Sequence, residues 1–147
     1  MFFRREVHKE YVAIVDGVPG FEVTTVRAPL GADPRDPRRR AVVPEHEGGK
    51  ESQTDLYVLE RGADWALVRA VPRTGRGHQI RLHLAHLGLP VAGDADYNPR
   101  PERRGALRQA LHAAALRFRH PLSGRELHVE APLPEDMKAL LASLRGG

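Results

Sequence analysis

Apolar and β-branched residues cluster in short runs along most of this chain. Residues 7–15, Val-His-Lys-Glu-Tyr-Val-Ala-Ile-Val, predict a strand that stops at the turn signal Asp16-Gly17. Residues 21–27 predict a second strand. Residues 54–60 and 65–71 predict two more, joined by Arg61-Gly62-Ala63-Asp64 as a hairpin loop. The period then changes. From about His78, Ile80, Leu84 and Leu87 recur at helical spacing, Gly88 suits a helix C-terminus, and Pro90 prevents continuation. Residues 111–119 alternate again, His120 to Gly124 reads as a turn, and Glu126–Glu130 as a return strand. Pro134 opens a last helix with Glu135 and Asp136 in its first turn and Met137, Leu140, Leu141 and Leu144 on its apolar face. The pattern predicts an α+β fold dominated by antiparallel hairpins.

Two segments lack such a pattern. Residues 28–53 carry four prolines and three glycines among scattered charges, which predicts a long surface loop with one short strand at Ala41-Val42-Val43. Its Arg38-Arg39-Arg40 run reads as solvated. Residues 98–109 predict a basic loop with Arg100, Arg103, Arg104 and Arg108.

Composition narrows the class. The 147 residues are 41% apolar and 29% charged, which suits one globular domain. There is no apolar run of membrane-spanning length and no apolar stretch of the signal-peptide kind near Met1. Cysteine is absent, which removes disulfides and thiol chemistry and fits a reducing cytoplasm. The net charge of +4 is unevenly spread: Arg61 to Arg125 holds 12 arginines against four acids, and the rest of the chain is net acidic. A basic block on a near-neutral body suits a polyanion such as nucleic acid. A bias towards arginine, 20 against three lysines, accounts for part of it.

The densest polar segment is Thr74-Gly75-Arg76-Gly77-His78-Gln79-Ile80-Arg81. Its glycines permit a tight turn and a close backbone approach. Its amides at a helix start and its two guanidinium groups suit an anion. Read alone, it is equally compatible with a solvated polar loop. His78, His83 and His86 are close in sequence. However, His78 and His83 lie about 140° apart around a helix, so no metal site is assigned.

Thr-Gly-Arg-x-His-Gln-Ile-Arg-x-His, followed by Leu89-Pro90-Val91-Ala92-Gly93-Asp94 and Tyr97, resembles the RluA-type RNA pseudouridine synthases. Further landmarks agree in order: Lys9-Glu10-Tyr11 through Gly17, Gly49-Lys50 through Thr54, His112-Ala113 through Gly124, and Glu130 through Pro134. The resemblance implies that family's mixed, mainly antiparallel sheet flanked by helices. It also implies isomerisation of uridine to pseudouridine in ribosomal or transfer RNA, without cofactor or nucleotide, by a cytoplasmic monomer. It places Tyr11 against the target uracil and gives Arg81 the catalytic carboxylate to hold. Thr74, Arg76, His78 and Gln79 become substrate-binding or pocket-wall residues.

The resemblance also implies that one part is missing. The family's reacting Asp lies in an Arg-Leu-Asp-x-x-Thr-Ser-Gly segment ahead of the Lys-x-Tyr strand. None of the eight aspartates here has that context. Residues 1–147 thus read as the C-terminal portion of an N-terminally truncated catalytic domain, inactive alone, with the first residues resembling the end of the helix after the Asp segment. Asp94 and Asp96 fall in a turn landmark, not in a catalytic one. The alternatives are a non-catalytic RNA-binding remnant or an incomplete gene fragment.

Overall fold

The computed structural model describes residues 7–120 and 122–146. The expected helix end in residues 1–6 and Pro121 of the expected turn lie outside them. Eight strands and two helices follow one another as β1 (Val7–Asp16), β2 (Val23–Val26), β3 (Leu30–Asp33), β4 (Asp36–Val42), β5 (Thr54–Arg61), β6 (Trp65–Pro72), α1 (Gln79–His86), β7 (Leu111–Arg119), β8 (Glu126–Glu130) and α2 (Glu135–Gly146). Six strands form one sheet in the order β2-β5-β6-β1-β7-β8. Among the described residues, every neighbouring pair in it is antiparallel, in line with the mainly antiparallel sheet expected. The α+β class read from the sequence is the observed one.

The centre of the sheet is dry. Ala13, Ile14 and Val15 of β1 and Ala66, Val68 and Ala70 of β6 are fully or almost fully buried. They form one core with Ile80 and Leu84 of α1 and Met137 and Leu141 of α2. The apolar face expected of α2 is therefore the face that packs. Helix α1 ends as its sequence predicts: Gly88 is left-handed at φ 76°, and the Leu89 amide returns to the Leu84 carbonyl at 2.9 Å. Val91 and Ala92 then run beside β1 inside the core, with the Ala92 amide on Ile14 at 2.9 Å. No helix among the described residues is long and apolar enough to cross a membrane.

Residues 28–53 are not the structureless loop that the prolines suggest. They contain the β3–β4 hairpin, paired from Leu30↔Val42 to Asp33↔Asp36, and a 3-10 turn at Glu45–Glu47. The hairpin is fastened mainly by backbone. Leu30 and Lys50 exchange two hydrogen bonds of 3.0 and 2.8 Å, and the Val43 amide reaches the Pro29 carbonyl at 2.9 Å. Nor is the arginine run wholly solvated. Arg39 donates to the Asp96 carbonyl at 2.7 Å and Arg40 to the Gly77 carbonyl at 2.8 Å, so the hairpin is tied to the segments on both sides of α1. Residues 98–109 hold a 3-10 turn at Pro101–Arg104. Their arginines are largely neutralised: Arg103 pairs with Asp64, Arg104 with Asp16 and Asp64, and Arg108 with Asp136.

Candidate functional site

A cleft of about 240 Å³ opens where β1 leaves β6, against the loop that enters α1. Tyr11, Thr74, Arg76, His78, Gln79 and Arg81, the six candidates from the sequence, all line it, together with Lys9, Pro72, Gly75, Ile80 and Leu111. A larger groove of about 480 Å³, bounded by His8, Arg73, Arg117 and Arg119, shares only Pro72 with this cleft and holds none of the six.

Each wall has a local cause. Tyr11 stands opposite Ala70 of β6 and Ala113 of β7, so small neighbours leave room for its ring. A register shift between Glu10 and Tyr11 on the β7 side adds twist at this point. Gln79 is 4% exposed and acts as a clamp. Its Oε1 accepts from the Thr74 hydroxyl at 2.7 Å and the Arg76 amide at 3.1 Å, and its Nε2 donates to the Gln53 carbonyl at 2.8 Å and Thr54 Oγ1 at 2.9 Å. Thr74 and Gln79 thus fix the loop on β5, and the Arg76 amide that could have met an anion is spent on Gln79. Arg76 donates from Nε to the Glu51 carbonyl at 2.9 Å.

The turn itself departs from expectation. Neither Gly75 nor Gly77 has a positive φ; the left-handed residue is His78, at φ 58°. Gly77 marks a close approach instead. A Cβ there would lie 3.2 Å from both Cδ and Nε of Arg40, so the close approach is made by a side chain and not by another backbone. His78 Nδ1 shares a 2.6 Å hydrogen bond with the Tyr97 hydroxyl.

Arg81 is held in the cleft by two carboxylates. Its Nε and Nη2 donate to Asp94 at 2.9 and 2.7 Å, and Nη2 also reaches Asp96 at 2.6 Å. The guanidinium carbon sits 4.9 Å from the centroid of the Tyr97 ring. Nη1 has no hydrogen bond among the described residues, so one edge of the fork remains available. Burial pushes the Asp94 carboxyl up, but the Arg81 bond and the amides of Asp96 and Tyr97 outweigh it and hold the pKa below the usual carboxylate value. The Asp94 bond, against burial and helped by Asp96, fixes Arg81 in its charged form.

His83, the last residue of the sequence motif and a metal candidate that was not assigned, lies beneath this layer at 0% exposure. It shares a 2.7 Å bond with Thr54 Oγ1 through Nδ1 and a 2.8 Å bond with the Ala28 carbonyl through Nε2. A carbonyl only accepts, so Nε2 carries the proton and Thr54 donates to Nδ1. Burial lowers its pKa, the Ala28 bond opposes this, and His86 adds to it. The helical spacing placed His83 on the inner face; nothing in the sequence marked Thr54 as its partner. Asp94 was legible as a turn residue only, although it is the fully buried partner of Arg81.

A sequence model of the family described as RNA pseudouridylate synthase matches residues 1–86. The chain belongs to that family. Among curated pseudouridine synthases, it is 45% identical to an uncharacterized RNA pseudouridine synthase of Chloroflexus aurantiacus, over 96% of this chain and 43% of the relative. It is 41% identical to ribosomal large subunit pseudouridine synthase C of Escherichia coli, over 95% of this chain and 46% of the relative. It is 39% identical to ribosomal large subunit pseudouridine synthase D of Xanthomonas campestris, over 96% and 45%. The chain thus spans a little under half the length of these synthases. Its fold is similar to the human RNA pseudouridylate synthase domain containing 1, with a TM-score of 0.75 and 28% identity over 96% of this chain and 66% of that one.

Proposed function

We propose that the cleft receives a uridine flipped out of structured RNA and takes part in its conversion to pseudouridine. The reaction breaks the C1′–N1 bond, turns the base, and forms a C1′–C5 bond; the C5 proton leaves and N1 gains one. The observation that carries the reading is the meeting of Tyr11 and Arg81 in one cleft, with one guanidinium edge of Arg81 left open. Flipping needs a pocket with a flat wall for the base, which Tyr11 and the apolar Ile80 and Leu111 offer. Arg76 and His78 sit on the polar side of that pocket. The open Nη1 edge suits one oxygen of a carboxylate.

That carboxylate is the one in the family's Arg-Leu-Asp context, which none of the eight aspartates here has. The work is therefore divided. Residues 7–146 supply the base wall and the arginine, and an Arg-Leu-Asp segment supplies the reacting group. The names of the relatives favour ribosomal RNA of the large subunit over transfer RNA. The absence of cysteine fits a reducing cytoplasm, and the protein acts as a monomer in this reading.

The test is pseudouridine content in ribosomal and transfer RNA after incubation with two proteins. One is the 147-residue chain; the other is the same chain preceded by the N-terminal half of the Chloroflexus relative. Product is expected from the second alone, and Tyr11→Ala or Arg81→Ala should abolish it. Product from the 147-residue chain that survives Arg81→Ala would overturn the reading.

A further inference from the structure

We propose that Lys9, with Arg76, forms a phosphate-binding edge of the cleft and takes the phosphodiester beside the base that Tyr11 faces. The inference rests on the reading of the cleft as a uridine site. Lys9 and Tyr11 stand two residues apart on β1, so both side chains leave the same face of the strand, about 7 Å apart along it. Both line the cleft. The neighbouring carboxylate, Glu10, leaves the opposite face, where it lies 3.4 Å from His8 and 3.8 Å from Arg69.

The charge balance of the walls points to an anion. Among the described residues, no Asp or Glu lines the cleft. Arg81 is compensated by Asp94 and Asp96. Lys9 has no ion pair among the described residues. Among the described residues, the Arg76 guanidinium meets only a neutral carbonyl, through Nε. Two uncompensated cations on two different elements therefore face a space that a base fills only in part. An ammonium group supplies a point charge, and a guanidinium supplies a fork for two phosphate oxygens.

The chemistry gives such an edge a purpose. Once C1′–N1 breaks, the base is no longer tethered to the ribose. A group that holds the backbone phosphate keeps the sugar in place while Tyr11 keeps the base. Because Lys9 and Tyr11 belong to one strand, the two fragments are held by one rigid element. The cleft then prefers a uridine within an RNA strand over the free nucleoside.

The experiment measures binding of a stem–loop RNA carrying one loop uridine, with neutral methylphosphonate linkages introduced one at a time. The 147-residue protein is compared with Lys9→Met, Lys9→Arg and Tyr11→Ala. One linkage beside the uridine should weaken wild-type binding about tenfold. Lys9→Met should lose part of that on the unmodified RNA, lose less than the wild type at that linkage because only Arg76 still meets the charge, and lower the slope of log affinity against log salt by about 0.7. Lys9→Arg should restore most of the affinity. Independent, multiplying losses from Lys9→Met and the neutral linkage would overturn the phosphate assignment alone, provided that Tyr11→Ala still weakens binding. If neither Tyr11→Ala nor Lys9→Met changes RNA binding, the uridine-site reading fails and this proposal fails with it.

Discussion

The guanidinium of Arg81 grips the carboxylate of Asp94 through two parallel hydrogen bonds of 2.9 and 2.7 Å, at 8% and 0% side-chain exposure. A buried pair of this kind adds little net stability when intact, but removing one partner strands a charge. Asp94→Leu should therefore cost about 3 kcal/mol, at the low end for a broken buried pair because Asp96 still holds Nη2. Urea denaturation measures it; a loss under about 1 kcal/mol would mean that Asp96 alone suffices.

His83 makes stability depend on pH. Its folded pKa lies below the ordinary value of 6.5, because burial outweighs the Ala28 bond. Between the two values the unfolded chain binds the extra proton, so stability is fully present above pH 6.5 and declines as pH falls. Denaturation midpoints between pH 7.5 and pH 5 should fall in the wild type and stay flatter in His83→Gln. Parallel profiles would show that the decline comes from other groups.

Gln79→Leu keeps volume and removes four hydrogen bonds. The Arg76 amide, the Thr74 hydroxyl, the Gln53 carbonyl and Thr54 would lose a partner. The expected cost is about 1–3 kcal/mol, the range for stranded buried polar groups. Exchange of the Arg76 amide should quicken more than that of the core amides of β6. Unchanged exchange at Arg76 would mean that the loop does not depend on Gln79.

Gly49→Ala should be disruptive for lack of space. A Cβ there would lie 1.7 Å from the Val43 carbonyl oxygen, and backbone cannot step aside as a flexible side chain can. The loss should reach about 3 kcal/mol, the upper range for overpacking. Gly48→Ala next to it meets no atom, although its φ of 100° adds strain. Equal behaviour of the two variants in thermal unfolding would place the cause in the turn and not in the contact.

Apolar or β-branched runs and capping residues made β1, β5, β6, β7 and both helices legible, because each carries its signal within its own segment. The β3–β4 hairpin was hidden for the opposite reason. It stands off the main sheet, carries Pro37 within β4, and is held by backbone pairs and by Arg39 and Arg40. The charge reading was also incomplete. Seven of the 12 central arginines, Arg61, Arg69, Arg73, Arg81, Arg103, Arg104 and Arg108, have carboxylate partners, some of them distant in sequence. A tally along the chain cannot register that pairing. The motif residues converged on one cleft because β1, the loop before α1 and α1 itself meet there. The residues of the buried layer beneath them, Thr54, His83 and Asp94, fall within the sequence landmarks, but their partnerships are set by tertiary contacts that the landmarks do not spell out.

The left-handed backbone of His78 sets folding against use. Glycine would adopt that conformation without strain, and His78→Gly relieves about 1 kcal/mol. It also discards the imidazole that meets Tyr97, whose ring lies against Arg81. A search for heat-stable variants would therefore favour glycine at a position that lines the cleft and holds the Tyr97 hydroxyl. On the uridine-site reading proposed above, selection for stability and selection for activity pull this one residue in opposite directions.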